Sequence, residues 1–170
     1  MPMTYCTGSL LDTNCQYICH QVNCQGKMNS GVAKAIREKW PVAYKEYQNW
    51  YDYWCQKVLD DYGGCEDYPS PSEVILGRIL MVKVDNNQTV INMAAQQYYG
   101  YDGRRYTSYD AFWSCLGKIK ETVPKGSSIA FPHGIGCVRG GANWEVIQTM
   151  IKEVLADDYD VYIYKLEETK

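Results

Sequence analysis

Short apolar segments alternate with segments of helical periodicity, and this alternation constrains the fold more than any other feature of the sequence. Strands are predicted at 3–6, 17–21, 77–84, 89–93, 128–131 and 161–166, and helices at 31–39, 41–58, 108–122 and 144–155. The turn Asp85-Asn86-Asn87 between the third and fourth strands predicts a hairpin. Strands that alternate with helices form a sheet that is covered on both faces. We therefore predict an α/β protein, a three-layer α/β/α fold around a mixed central sheet.

The length of 170 residues fits one domain with a buried core. No internal repeat, low-complexity segment or linker divides the chain. The segment at about 40–72 is rich in Tyr and Trp; Pro41 suits the first turn of its helix, and a loop is predicted from Gly63 to Ser72. We predict a single domain over residues 1–170, with this segment as a helical and loop insert.

Composition and charge exclude several classes of protein. The formal charge of −3 argues against nucleic acid as the main partner, because that binding is chiefly electrostatic. No run approaches the roughly 18 apolar residues of a membrane helix, and no basic segment followed by an apolar stretch marks a signal peptide. The spacings of the eight Cys match no zinc template. We expect reduced thiols, no metal, no cofactor, no membrane contact and a cytoplasmic location; the oligomeric state stays open.

Two glycine-rich loops carry the candidate functional residues. They span residues 20–33 and 132–145, and each follows an apolar strand and opens a helix. They contain six of the fourteen Gly and both His: Gly26, Gly31, Gly134, Gly136, Gly140, Gly141, His20 and His133. Glycine lets backbone approach a ligand closely, and a helix N-terminus offers unpaired N–H groups. The loops therefore predict a cradle for a diphosphate; the alternative is that the glycines only form tight turns.

In these residues the chain resembles the macro domain, a module that binds ADP-ribose. The matching segments are HQVN at 20–23 with the glycine loop at 26–30 and GVA at 31–33, VINMAAQ at 90–96, and IAFPHGIGCVRGGANWEVI at 129–147. The order of elements agrees from about residue 3 to residue 166. The resemblance is greatest to small stand-alone macro domains of phage type, and to the branch of ADP-ribose 1″-phosphate phosphatases and ADP-ribosyl-glutamate hydrolases.

The resemblance implies a site for ADP-ribose or an ADP-ribose-derived metabolite. Asn23 would bind the distal ribose, and Tyr98, Tyr99 or Tyr101 would wall that ribose or the group attached to it. Backbone of the two loops would cradle the diphosphate. The implied ligand-binding residues are Ser9, His20, Asn23, Gly26, Asn29, Ser30, Gly31, Val32, Ala33, Gln96, Tyr98, Tyr99, Tyr101, His133, Gly134, Ile135, Gly136, Cys137, Val138 and Arg139. Asn29 replaces a family glycine, which is tolerable because Asn accepts left-handed backbone.

Departures from the family pattern bear on specificity and chemistry. Ser9 follows Gly8 where many macro domains have an Asp that reads the adenine amino group, so Ser9 or Asp12 would have to substitute. The hydrolase branch has a Lys after the central strand and an Asp in the second loop, where this chain has Gln96 and Gly140. Gln forms no covalent sugar adduct and Gly supplies no base. We therefore expect a binder rather than a hydrolase, such as a phage-type protein that sequesters an NAD-derived defence signal in the host cytosol.

Other functions stay open. A phosphatase acting on ADP-ribose 1″-phosphate would use His20 as general acid or nucleophile, as the resemblance to that branch implies; alternatively, His20 ends a buried strand and hydrogen-bonds a backbone carbonyl. For His133 two roles stay open: contact with phosphate, or hydrogen bonding that only stabilises its own turn. A reader of ADP-ribosylated proteins would need an open distal end of the cleft. The tyrosines and arginines at 98–106 are predicted to form a lid over a small ligand, with nucleic-acid binding or a surface patch as alternatives.

Overall fold

Six strands form one sheet in the computed structural model, within the residues that it describes, 3–29, 31–63, 69–98, 105–137 and 140–167. They are β1 (Thr4–Thr7), β2 (Tyr17–Val22), β3 (Ile79–Lys83), β4 (Thr89–Ala94), β5 (Ser128–Pro132) and β6 (Asp160–Lys165). Their order is β1-β6-β5-β2-β4-β3, and every neighbouring pair is parallel except β3 with β4. The predicted hairpin and the predicted mixed sheet are confirmed.

The helices follow the predicted segments closely, with differences around the insert. They are α1 (Gly31–Lys39), α2 (Pro41–Tyr62), α3 (Pro71–Ile75), α4 (Tyr109–Thr122) and α5 (Trp144–Leu155). α2 passes its predicted end at Val58 because no Gly or Pro interrupts it before Gly63, whose N–H donates to Leu59 O (2.8 Å). α3 begins where a loop is predicted, because Ser70 and Glu73 form a capping box that starts a short helix.

The first face of the sheet is covered by α4 and α5. Phe112, Leu116, Ile147 and Ile151 are fully buried in one apolar cluster with Cys19, Ile91, Ile129 and Phe131 of the central strands. In α5 the buried Ile147, Ile151 and Leu155 repeat at intervals of four, and Asn143 caps the helix by accepting from Glu145 N (2.9 Å). Burial of each such side chain contributes about 1.5–3 kcal/mol.

The second face of the sheet is covered by α1 and α2. Ile36 and Ala43 are buried against Ile18, Val90 and Ala130, the alternate residues of the same strands. Further along α2, a second cluster joins Tyr47 to Ile75 of α3 and to the strand ends Val22 and Ala94. Helices therefore cover both faces, which confirms the predicted three-layer arrangement. The domain boundaries stay a prediction.

The neighbouring strands β2 and β5 form a switch point of the sheet, and we call the space beyond their carboxyl ends the crevice. Their pairing runs only from Tyr17 with Ile129 to Ile18 with Ala130, so the carboxyl-terminal halves of these strands are not joined. The helix after β2 packs on one face of the sheet and the helix after β5 packs on the other. Their connecting loops therefore turn to opposite sides, and such a switch point is where a ligand crevice is expected in an α/β sheet.

Candidate functional site

Three loops meet at the carboxyl edge of the sheet. They follow β2, β4 and β5 and span residues 23–30, 95–108 and 133–143, of which 30, 99–104, 138 and 139 lie outside the described residues. Because β5, β2 and β4 are parallel neighbours, the loops stand side by side. The structure thus brings the two predicted glycine loops together and adds the loop after β4. The predictions for Ser30, Tyr99, Tyr101, Val138 and Arg139 fall outside the described residues.

The first loop is shaped by the Asn23 side chain. Asn23 Oδ1 accepts hydrogen bonds from Gln25 N (3.0 Å) and Lys27 N (3.4 Å), while Asn23 Nδ2 donates to Lys27 O (3.1 Å). Cys24 N donates to Gln97 O (3.2 Å), which ties this loop to the loop after β4. Both polar atoms of Asn23 are therefore engaged within their own loop, and its contact with a ribose stays a prediction.

The first turn of α1 borders the crevice. α1 begins at Gly31, which has a φ of +59°. The N–H groups of Gly31, Val32 and Ala33 have no partner inside the helix, because no helical carbonyl precedes the first turn. The Val32 side chain is 40% exposed. Asn29 does not take the left-handed backbone invoked for it, because no non-glycine residue of the described ranges has a positive φ; its Oδ1 accepts from Arg37 (3.1 Å). This turn can present N–H groups to an anion.

The second loop winds through a chain of tight turns. His133 N donates to Tyr164 O (2.8 Å), Ile135 N to Pro132 O (3.1 Å) and Cys137 N to Gly134 O (2.8 Å). Gly134 and Gly136 both have a φ of +76°, a conformation that glycine adopts without strain. No backbone–backbone hydrogen bond between described residues uses the N–H group of Gly134 or Gly136. Turns of this kind can offer backbone donors to a phosphate.

A cluster of polar side chains fastens the second loop to the loop after β4. Thr107 Oγ1 donates to Gly136 O (2.8 Å) and accepts from Gln21 Nε2 (2.8 Å), which also donates to Gln96 Oε1 (2.8 Å). Thr107 N donates to Gly140 O (2.9 Å). Thr107 is 2% exposed. Sequence reasoning missed both residues: Gln21 lies in the HQVN segment without a role of its own, Thr107 belongs to no motif, and only the sheet brings them together.

Two glycines of the second loop are required by close packing. A Cβ at Gly140 would lie 2.1 Å from Thr107 Oγ1 and 2.4 Å from Gly136 O, and a Cβ at Gly136 would lie 2.8 Å from Gln21 Oε1. Contacts below 3.0 Å are essentially never seen for real Cβ atoms. Any side chain at 140, including an Asp, therefore requires the loop to move.

His20 lies inside the sheet and has no exposed surface. Its Nε2 donates to Asn92 Oδ1, which places the imidazole proton on Nε2. Burial lowers the pKa of His20 to about 4, so the ring is neutral near pH 7. In this structure His20 cannot touch a ligand, and the arrangement matches the alternative of a buried strand histidine, with Asn92 in place of a backbone carbonyl.

The two cysteines of the glycine loops are poor nucleophiles, because burial disfavours their thiolates. Burial raises the pKa of Cys24 to about 12 and raises the pKa of Cys137, whose thiol donates to Ile135 O (3.4 Å). The His133 ring lies 4.7 Å from the ring of Trp144, centroid to centroid, and burial and the charge of Lys165 lower its pKa. These groups line the loops as packing and polar surface.

The loop after β4 borders a groove of about 720 Å³. Its lining includes Tyr98, Arg105, Tyr106 and Tyr109, and the Arg105 guanidinium lies 4.5 Å from the ring centroid of Tyr109. Gln96 Nε2 donates to Tyr98 O (2.8 Å), and the Tyr98 side chain is half exposed. Tyr98 and Arg105, which belong to the predicted lid, therefore line this groove.

The two candidate adenine-reading residues lie in different places. Ser9 follows β1 at the carboxyl edge, and its Oγ accepts from Leu11 N (3.2 Å). Asp12 lines a separate groove with Lys39 and the turn at 85–88, which joins β3 to β4 at the opposite end of the sheet. Asp12 therefore cannot take the place of the family Asp, and Ser9 stays the candidate.

Two general properties of the described residues bear on function. No group of three or more His, Cys, Asp or Glu side chains in these ranges could hold a metal ion. No helix among them is long and apolar enough to cross a membrane.

Comparison with known proteins places this arrangement among known folds. No protein-family model matches the chain. It is 22% identical over 167 residues to the DNA ADP-ribosyl glycohydrolase of Mycobacterium tuberculosis, an alignment that covers 95% of this chain. The chain spans only 42% of the length of the curated relatives that it matches.

Solved structures resemble the described chain over nearly its whole length. A protein of unknown function from Bacteroides thetaiotaomicron is 27% identical, with a TM-score of 0.77 and coverage of 97% of this chain and 98% of that one. The macrodomain of Mycobacterium tuberculosis DarG is 20% identical, with a TM-score of 0.73 and coverage of 96% and 97%. Thermosipho africanus DarTG, solved in complex with ADP-ribose, is 16% identical, with a TM-score of 0.70 and coverage of 99% and 43%.

Proposed function

We propose that this chain, a macrodomain, binds ADP-ribose or an ADP-ribose-derived metabolite in the crevice between β2 and β5. The observation that carries the proposal is that the two glycine loops follow β2 and β5, parallel neighbours in the sheet, and therefore start side by side at its carboxyl edge. The first turn of α1 and the turns at Gly134 and Gly136 supply backbone N–H groups suited to a diphosphate. The complex of Thermosipho africanus DarTG with ADP-ribose supports this assignment.

The chemistry of the site favours binding without turnover. Gln96 offers a neutral amide where the hydrolase branch has a Lys, and its Oε1 is already occupied by Gln21 Nε2. The packing around Gly140 leaves no room for an acidic base. His20 is buried and neutral. The curated relatives are named glycohydrolases, so hydrolysis of an ADP-ribosyl group is the second candidate function.

Sequestration is the physiological role that binding without turnover would serve. A protein that holds an NAD-derived defence signal must bind it tightly and release no product. The groove at Tyr98 and Arg105 would receive whatever group the distal ribose carries. We therefore propose a role of the phage anti-defence type, exerted in the cytosol.

Calorimetric titration with ADP-ribose tests the proposal, and the chain offers a matched pair of variants. Val32→Glu places a carboxylate on the first turn of α1, where it repels a diphosphate, while an acidic residue suits a helix N-terminus and should preserve folding. Val42→Glu is the control, because Val42 is also 40% exposed and is also the second residue of its helix. We expect binding by the wild type and by Val42→Glu, and at least tenfold weaker binding by Val32→Glu.

Two results would contradict the proposal. Wild-type affinity weaker than about 1 mM, or about −4 kcal/mol, would remove ADP-ribose as the ligand. Equal losses in both Val variants would place the ligand away from α1. Incubation with ADP-ribosylated DNA or protein, or with ADP-ribose 1″-phosphate, separates binding from turnover: release of ADP-ribose or of inorganic phosphate by the wild type would favour an enzyme.

A further inference from the structure

Helix α2, which belongs to the insert, contacts the first loop through the side chain of Tyr47. The Tyr47 ring is fully buried among the residues that join α2 and α3 to the strand ends. Its hydroxyl lies 2.9 Å from Asn23 Oδ1, also contacts Asn23 O, and accepts from Gly26 N (3.1 Å). One phenolic group thus holds both ends of the turn at 23–26.

Tyr51, one helical turn further along α2, supports the same loop with its ring. Gly26 has a φ of +75°, and a Cβ at this position would lie 3.1 Å from Tyr51 Cδ1. The loop is therefore both hydrogen-bonded to the Tyr47 hydroxyl and packed against the Tyr51 ring. Neither tyrosine belongs to the two glycine loops, and Tyr47, which is fully buried, can act on a ligand only through the first loop.

We propose that Tyr47 is a positioning residue that sets ligand affinity by holding Asn23 and Gly26 in their binding geometry. The inference rests on the proposed function, since it concerns the affinity of the same crevice. A loop that is held in place before binding loses less conformational entropy when the ligand arrives. Without the hydroxyl, Gly26 N–H and Asn23 O lose their Tyr47 partner, and the turn can take other conformations.

Tyr47→Phe tests this inference because it retains the buried ring and removes only the hydroxyl. Tyr53→Phe is the control, since Tyr53 lies on the same helix and is 56% exposed. We expect the affinity of Tyr47→Phe for ADP-ribose to fall about tenfold, measured well below the unfolding temperature, and that of Tyr53→Phe to stay unchanged. Amide hydrogen exchange at Gln25, Gly26 and Lys27 should accelerate in Tyr47→Phe only.

A double variant separates positioning from a general loss of structure. If Tyr47 acts through Asn23, Tyr47→Phe should weaken binding little further in an Asn23→Ala background, whereas an independent effect on stability would add in full. Wild-type affinity in Tyr47→Phe, full additivity in the double variant, or unchanged exchange of the loop amides would each overturn the inference. If the wild type itself fails to bind ADP-ribose, the proposed function fails, and the exchange measurement still decides whether Tyr47 holds the loop.

Discussion

Replacing Thr107 by Val should destabilise the second loop without creating a cavity, because Val has nearly the shape of Thr and lacks only its hydroxyl. The hydroxyl donates to Gly136 O and accepts from Gln21 Nε2, and Thr107 is 2% exposed, so water cannot replace these bonds freely. The substitution therefore removes two buried hydrogen bonds that join three segments of the chain.

The expected cost follows from the partners that remain. Gly136 O still accepts from Ala142 N (3.0 Å), and Gln21 Nε2 still donates to Gln96 Oε1. The full penalty of unsatisfied groups is therefore avoided, and two bonds at about 1 kcal/mol each give about 2 kcal/mol of unfolding free energy. For a chain of this length that lowers Tm by about 4–8 °C. Because Gly136 would also be freed to shift, we expect several-fold weaker binding of ADP-ribose.

Urea unfolding and calorimetric titration of three variants measure these effects. Thr107→Ser keeps the hydroxyl and should retain most of the stability and affinity. Thr149→Val is the control for loss of a threonine hydroxyl, since Thr149 donates to Glu145 O (2.7 Å) on the exposed surface of α5. If Thr107→Val keeps wild-type stability and affinity, or if Thr107→Ser loses as much as Thr107→Val, the hydroxyl does not fasten the loop.

Two further predictions concern the second loop and the sheet. Gly140→Asp should fail to give ADP-ribosyl hydrolase activity and should lower the unfolding free energy by about 1–3 kcal/mol, because its Cβ meets Thr107 Oγ1 at 2.1 Å; a stable variant that hydrolyses the substrate would contradict the packing argument. The folded-state pKa of His20, about 4, lies below the unfolded value of 6.5, so the unfolded state binds more protons between these values. The contribution of neutral His20 to the free energy of unfolding should be fully present above about pH 6.5, and the free energy should fall by up to about 3 kcal/mol toward pH 4. Urea titrations across this range should show a smaller loss in His20→Gln.

The secondary structure could be predicted because it depends on local pattern. The apolar residues of α5 repeat at helical spacing after the capping Asn143, and the helix forms over the predicted 144–155. The end of α2 could not be predicted as well, since the helix runs on to Tyr62. The start of α3 depends on a capping box inside a segment whose Gly and Pro predict a loop. Short helices are decided by a few hydrogen bonds, which the periodicity of apolar residues does not reveal.

The candidate site, too, could be predicted from the sequence only in part. The sequence alone determined the two glycine loops, the strand-to-helix junctions at which they lie and the absence of Lys at 96 and Asp at 140, because these depend on residue type and order. Only the tertiary structure decided that His20 is buried, that Asp12 lies at the far end of the sheet, and that Thr107 and Tyr47 hold the loops. These contacts join residues more than 20 positions apart, so they exist only once the sheet and the insert have packed.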